Sequence, residues 1–272
     1  MMTVERTPRR WWLAAALAVA LATGGCATQA TTQPQASAQD DVNDPLEPLN
    51  RYVFEVNFFL DEFVLKPLAW WYRAALPDPV QNGVNNVLQN MRTPWSFVND
   101  LLQGETDRAG TSAARFGINT TLGVFGIFEV AEGMGFPEHD EDFGQTLAVW
   151  GVPEGFYLVL PIYGPSNPRD AIGSVVDDYG DPFNLYTRLR DSNTNFPLYR
   201  GIGSGIDRRA RNLESVDDLR RTSVDFYAAV RSLYRQNRAK EISNGRRAAD
   251  APLPAFPTDD DDNGAPKQGT KQ

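Results

Sequence analysis

The sequence holds one cysteine, Cys26, and one histidine, His139, in 272 residues. A lone cysteine excludes an internal disulfide, and a zinc site needs several ligands in one place. A catalytic thiol needs a neighbouring base, and nothing near Cys26 serves as one. No G-x-S-x-G elbow accompanies the histidine, and no G-x-x-x-x-G-K-[ST] loop is present to cradle nucleotide phosphates. Basic charge is scarce: 26 lysines and arginines stand against 35 aspartates and glutamates, a formal net charge of −9. That disfavours nucleic-acid binding, which rests on a basic patch, and adhesion to anionic lipid by charge alone. Long apolar runs are missing too. After the N-terminal stretch, charges or prolines interrupt every hydrophobic segment before it reaches the ~18 residues of a membrane-spanning helix.

What is present begins with MMTVERTPRRWWLAAALAVALATGGCATQATTQPQ. Arg6, Arg9 and Arg10 precede an apolar stretch from Trp11 to Ala22, and Thr23-Gly24-Gly25 supplies small residues before Cys26. This is the layout of a secretory signal over residues 1–25. A helix of about 12 residues reaches roughly 18 Å, short of the about 30 Å of a hydrocarbon core. The small residues ending in cysteine resemble the bacterial lipobox, in which the cysteine is diacylated and becomes the new N-terminus. Thr23 stands where leucine is usual, and Ala27 rather than aspartate follows the cysteine, which favours the outer over the inner membrane. The alternative is an ordinary secreted protein with an incidental cysteine. Loss of residues 1–25 removes Arg6, Arg9, Arg10 and Glu5, a net +2, so the charge of −9 becomes −11. Acyl chains supply the attachment that charge does not, at about 0.8 kcal/mol per buried CH₂. Residues 26–43 read as a lipidated flexible tether. Residues 241–272, with proline, glycine and an acidic block, read as a disordered tail. The span 44–240 is the size of one domain.

That span is mostly helical by pattern. Asp44-Pro45 reads as an N-cap and first helical residue. The following segment, to Pro67, is apolar over most of its circumference, as expected of a helix buried in protein or facing lipid. Trp70, Trp71 and Tyr72 come next, ring types that favour a membrane–water boundary but also serve in ordinary cores. Val80, Val84, Val87, Leu88 and Met91 mark a one-sided helix. Thr93-Pro94 is expected to start another, Thr106–Thr121 a further one, and Leu213–Arg238 a late one. Two readings follow from pattern alone: a soluble helical domain with a normal core, or amphipathic helices lying in a bilayer interface. GVFGIFEVAEGMGFP (123–137) is too glycine-rich for a confident helix and too apolar for a usual surface loop. Phe156–Tyr163 is a short β-like run closed by proline and glycine, and Gly151, Pro153 and Gly155 before it suggest a hinge or hairpin.

Successive blocks DPLEPLNRYVFEVN, VNNVLQNMRTPWSFVNDLLQGE, ARFGINTTLGVFGIFEVA, HDEDFGQTLAVWGVPEGFYLVLPIYGPSNPRDAIG and DFYAAVRSLYRQNR resemble, in order, those of the MlaA (VacJ) lipoproteins. Pro48-Leu49 replaces a commoner Gly-Phe, and Pro153-Glu154 takes a place often held by glycine. The resemblance implies an outer-membrane lipoprotein on the periplasmic leaflet that maintains lipid asymmetry. It would extract glycerophospholipids misplaced in the outer leaflet and pass them to a periplasmic carrier, MlaC, in association with a trimeric porin. It implies a mainly α fold, a ring-like arrangement of amphipathic helices lying in the membrane, with a central channel and a short β-like hairpin segment. Backbone at membrane depth must be satisfied internally, and glycine-rich backbone is tolerable where it lines a cavity. On this basis Cys26 is the lipidation site. Asn57, Phe58, Phe59, Phe125 and Phe128 are the channel and lipid-contact candidates, and Gly151, Pro153, Gly155, Phe156 and Tyr157 belong to a gating segment. Arg51, Arg92, Arg115 and Arg169 either meet phosphate or form ion pairs. No cofactor, metal or nucleic acid is implied.

Two other functions are compatible with the residues. PEHDEDFG gathers His139 among Glu138, Asp140, Glu141 and Asp142, the types used in acid–base or metal chemistry, although five consecutive polar residues usually form a solvated loop. Gly203-Ser204-Gly205 reads as a flexible turn. A structural lipoprotein that braces porins without moving lipid is the second alternative.

Overall fold

The computed structural model describes residues 43–191 and 193–245. Cys26, the signal segment, nearly all of the tether and most of the acidic tail lie outside the described residues. The chain starts with α1 (Glu47–Leu60), a π-helical turn (Asp61–Leu65) and α2 (Lys66–Ala75), which follow one another without a break. The π turn has a local cause. Pro67 lacks an N–H, and its ring would crowd the carbonyl four residues back in a regular helix. The widened turn relieves this, and Lys66 N–H bonds to Asp61 O, five residues earlier.

Next come α3 (Asp78–Gln103) and α4 (Thr106–Thr121), joined at Gly104, whose φ of 79° needs no Cβ. A looped stretch with one 3₁₀ turn (Glu132–Met134) leads to α5 (Phe143–Val149). The hairpin β1 (Leu158–Leu160) and β2 (Gly164–Ser166) is antiparallel, with Val159 opposite Pro165. The remainder is α6 (Pro168–Gly180), α7 (Pro182–Arg190), α8 (Phe196–Arg211), α9 (Leu213–Thr222) and α10 (Phe226–Ile242). Several starts are written in the sequence. Asn167-Pro168 and Asp181-Pro182 place a capping oxygen before a proline; Asn167 accepts from Asp170 N–H and Asp181 from Phe183 and Asn184 N–H. Asp142 and Asp225 cap α5 and α10 without a proline, accepting from Gln145 and Ala228 N–H.

Packing closes a circuit. α3 rests on α8, α8 on α2, α2 on α9, α9 on α10, α10 on α5, and α5 on α3. The hairpin bridges α1, through β1, to α10, through β2. A small aromatic cluster of Phe54, Tyr157, Val159 and Tyr227 lies at that junction, and Ala69, Ala210 and Leu213 form another. Helices α5 and α6 approach so closely that a Cβ on Gly173 would lie 2.5 Å from the backbone nitrogen of Gly144.

The mainly helical expectation with one hairpin agrees with this architecture; several boundaries do not. The first helix begins at Glu47 and not at Pro45, and Asp44 is not its cap: the Asp44 carboxylate is taken by Asn50, Tyr227 and Arg231. No new helix starts at Thr93-Pro94: α3 runs through Pro94, whose missing N–H leaves only the Asn90 carbonyl without its helical donor. The late helix is two, since Ser223 turns extended at ψ 134° and Asp225 caps a new start. Gly203-Ser204-Gly205 is not a turn but lies inside α8. Gly173→Ala is expected to cost about 1–3 kcal/mol through overpacking against immobile backbone, whereas Gly117→Ala, with open space at its Cβ position, should leave the melting temperature unchanged or higher. Thermal unfolding of the two variants in detergent measures the contrast.

Candidate functional site

The distribution of polarity is inverted. The largest fully buried side chains are Asn50, Asn99, Thr146, Asp100, Ser96 and Ser112. Exposed positions include Phe59, Phe63, Trp70, Trp71, Phe125, Phe128, Ile162 and Tyr163. Buried polar groups cost stability unless they are bonded, so the interior is a set of networks.

The first network ties the hairpin to α1. Asn50 Nδ2 donates to Tyr157 O (3.0 Å) and Asn50 Oδ1 accepts from Val159 N–H (2.9 Å). Two helical turns on, Asn57 Nδ2 donates to Leu160 O (2.8 Å) and its Oδ1 accepts from Ile162 N–H (2.7 Å). Two asparagines thus take the place of a neighbouring strand for the free edge of β1. The tip they hold is strained: Ile162 sits at φ 69°, where a β-branched residue is a genuine outlier, and its side chain is 82% exposed. Asn50 Nδ2 also reaches Asp44 Oδ1 (2.8 Å). Burial pushes the Asp44 carboxyl up, but bonds from Tyr227, Arg231 and Asn50 outweigh it and hold it below the usual range.

The second network anchors the loop after α4. Asn119 Oδ1 accepts from Val130 and Ala131 N–H, Asn119 Nδ2 and Arg115 both reach Glu129, and Arg115 Nη1 donates to Phe136 O (2.6 Å). The turn 123–128 rests against α3: Asn86 donates to Ile127 O, and Gly126 lies so close to Asn90 that a Cβ would meet it at 2.6 Å. So fixed, Leu122, Val124, Phe125, Ile127 and Phe128 stand out as an apolar knob, with Phe125 78% exposed.

The third network centres on Arg238. Its Nε and Nη2 donate to Asp170 (2.8 and 2.9 Å), and Nη1 and Nη2 to Asp142 (2.7 and 2.8 Å), with Glu241 on the remaining donor (3.1 Å). All five guanidinium N–H groups are used. Burial raises both aspartates, but Arg238 overrides it and keeps them below the ordinary carboxylate range. Nearby Asp177 accepts from Trp95 Nε1–H (2.7 Å) and Phe143 N–H (2.8 Å), yet burial pushes its carboxyl up to about 6.

The 138–142 segment is only in part the solvated loop expected: Glu138 and Asp140 are exposed, whereas His139 and Asp142 are half-buried. Glu141 is buried and bonded to Arg108 and Gln103. Ser112 Oγ donates to Asp100 Oδ2 (2.6 Å), and His139 Nε2 lies 3.0 Å from both. Ser112 is 1% exposed, so no substrate reaches its oxygen, and the cluster pins 138–142 onto α3 and α4. Among the described residues no group of three or more His, Cys, Asp or Glu could hold a metal ion.

The expected site residues fall in several places. Asn57 meets the hairpin directly. Phe58 turns inward onto Phe226 (5.9 Å between centroids) beneath Arg220, whereas Phe59 points outward beside Phe63. Phe125 and Phe128 sit on the separate knob. Gly151, Pro153 and Gly155 are exposed, Phe156 is half-buried, and Tyr157 is in the core against Tyr227. Of the arginines, Arg51 pairs with Glu47 and Asp225, Arg92 with Asp140, Arg115 with Glu129 and Arg169 with Asp170. Sequence reasoning missed Asn50; its seven-residue spacing from Asn57 on an apolar helix was the available signal. It also missed a cavity of about 480 Å³ between α2 and α9.

Among the described residues no helix is long and apolar enough to cross a membrane. The family described as MlaA lipoprotein matches residues 42–241. The intermembrane phospholipid transport system lipoprotein MlaA of Haemophilus influenzae is 34% identical over 85% of this chain and 90% of that protein. The protein of the same description from Escherichia coli is 36% identical over 81% of this chain and 84% of its own length. An uncharacterised protein of Rickettsia felis is 41% identical over 75% of this chain and 78% of that one. A solved structure from work on the structural basis for maintenance of bacterial outer membrane lipid asymmetry shares 36% identity, with a TM-score of 0.64, over 73% of this chain and 98% of that one.

Two outcomes are expected from the buried charges. Arg238→Met leaves Asp142 and Asp170 buried without their cation and should cost about 3–5 kcal/mol in denaturant unfolding. The raised Asp177 carboxyl contributes stability that is complete below its unfolded value near 3.8 and is lost as pH rises through about 6. Asp177→Asn keeps an acceptor for Trp95 and Phe143, so relative to wild type it should gain about 2–3 kcal/mol on going from pH 4 to pH 7. Melting curves at both pH values measure the difference.

Proposed function

The chain belongs to the MlaA lipoprotein family, and from that membership we propose that it is a phospholipid-transport lipoprotein of the outer membrane, seated in the periplasmic leaflet. It takes glycerophospholipids misplaced in the outer leaflet through an amphipathic channel and passes them to the periplasmic carrier MlaC, beside a trimeric porin. The observation that carries this is the inversion of polarity. An aromatic exterior of this extent is an association liability in water, but it is ordinary burial against acyl chains. Internally bonded helices and a helix-braced hairpin leave little backbone to satisfy at membrane depth. The closed circuit of packed helices supports an enclosed passage, and Cys26 supplies the anchor at the N-terminal side.

Phe59, Phe125 and Phe128 meet lipid tails, and Phe58 stiffens the helix that carries Asn57. The segment from Gly151, Pro153 and Gly155 through Phe156 to Tyr157 is the root of the gating hairpin. Tyr157 fixes it in the core, the exposed glycines give the approach its freedom, and Asn57 latches the strained tip. Native mass spectrometry of detergent-extracted protein tests the transport reading: retained phospholipid and a co-purifying porin trimer are expected, and the absence of phospholipid rejects it. Asn57→Ala strands Leu160 C=O and Ile162 N–H at about 1–3 kcal/mol. It is expected to change the amount of phospholipid in the outer leaflet of cells while porin association persists. Unchanged surface lipid, both in this variant and when the hairpin is crosslinked to α1, would reject the gate and leave a bracing role.

A further inference from the structure

The cavity of about 480 Å³ between α2 and α9 lies apart from the hairpin. Its size is that of a small-molecule site, and its walls carry both signs of charge. Lys66 Nζ lies 3.1 Å from Asp217 and 3.3 Å from Glu62, and Arg73 Nη1 lies 2.6 Å from Glu214. Behind these, Arg220 and Arg209 approach Glu62 and Asp217 at 3.4 and 3.5 Å. With Asp61, which Arg209 holds at 2.8 Å, four cations (Lys66, Arg73, Arg209, Arg220) stand against four anions (Asp61, Glu62, Glu214, Asp217) in the wall and behind it. Trp70 and Trp71 line it too, edge to face at 5.4 Å, and both are exposed.

Such a wall does not suit a ligand of one charge. An anion at Arg73 would have to turn away Glu214, which pairs with that arginine, and leave it unmatched beside indole. A ligand bearing both signs exchanges with the wall pairs without leaving a charge over: its phosphate takes Arg73 and Lys66, and its ammonium takes Glu214 and Asp217. Partly exposed ion pairs are weak, about 0–1 kcal/mol, so the exchange has little to overcome. An indole face also attracts an ammonium, and tryptophan rings favour the depth at which headgroups lie. Apolar Pro67 and Leu213 in the same lining leave a surface for the glycerol and the first methylenes of the tails.

We infer that this cavity seats the headgroup of a zwitterionic glycerophospholipid, with its phosphate on the α2 cations and its ammonium on the α9 carboxylates. The inference rests on the transport reading above and adds to it a headgroup preference.

The test is competition. The full chain in detergent is offered equal amounts of phosphatidylethanolamine and phosphatidylglycerol with identical acyl chains, and native mass spectrometry reads what is retained. Wild type is expected to hold the zwitterionic lipid in about 3–10-fold excess, the range that one or two partly exposed charged contacts provide. Glu214→Gln, alone and with Asp217→Asn, should bring the ratio towards one with unchanged melting temperature; both side chains are substantially exposed, so Glu214→Gln alone suffices if the double variant is poorly folded. Equal retention by wild type, or an excess that survives in Glu214→Gln, overturns the seat while leaving transport intact. Retention of neither lipid by wild type overturns transport itself. A third arm adds soluble glycerophosphoethanolamine at the lipid's concentration; displacement of the lipid by it would assign the cavity to a soluble solute and overturn the lipid assignment.

Discussion

The fold depends on one constraint: polar groups cannot be left to an apolar exterior, so they must be settled inside. Arg238 shows how. From near the end of α10 it reaches Asp142, the cap of α5, and Asp170 in the first turn of α6, and so joins two helix starts to a third helix with one guanidinium. A buried ion pair adds little net stability over a packed apolar alternative, but it penalises every arrangement that separates its members. Here that penalty defines where α5, α6 and α10 meet. Glycine makes the meeting possible, since only Gly144 and Gly173 let the two backbones come together beside the guanidinium.

The hairpin follows the same rule by another means. A two-stranded sheet has free edges, and backbone donors and acceptors on a buried edge must find partners. Asn50 and Asn57 complete one edge with side-chain amides, which carry the same donor and acceptor as a strand. The arrangement leaves the ends of the hairpin unequal. Its root is buried with Tyr157, Phe54 and Tyr227, whereas its tip is exposed, strained at Ile162 and held by one side chain. The positive φ at Ile162 is held by the Asn57 amide, which bonds Leu160 C=O and Ile162 N–H on either side of the turn.

The helices with strong local signals were legible from the residues. Thr106–Thr121 occupies its expected span, and Phe156–Tyr163 contains β1 and the turn that follows it. Where expectation failed, a tertiary contact had outbid a local rule. Pro94 did not start a helix: α3 continues through it, held by α4 on either side at Asn90–Thr120 and Asp100–Ser112. Asp44 did not cap because Tyr227 and Arg231, nearly two hundred positions on, claim its oxygens. Within PEHDEDFG, His139 and Glu141 left solvent because Ser112, Asp100, Gln103 and Arg108 receive them, while Glu138 and Asp140 stayed exposed. Asn57 stood out as a polar residue among aromatics, but its partners on the hairpin could not be read from its neighbours in sequence.

By itself the sequence determined the helical class, the short β-like hairpin segment and the absence of any spanning helix among the described residues, because these depend on periodicity and on residues a few positions apart. It left open whether its apolar faces turn inward or outward, since an amphipathic helix has the same pattern in either case. Only the tertiary structure decided that, by bringing Asn50, Asn99, Asp100 and Arg238 to partners far along the chain. With those polar groups engaged inside, the aromatic faces had only the outside left to meet.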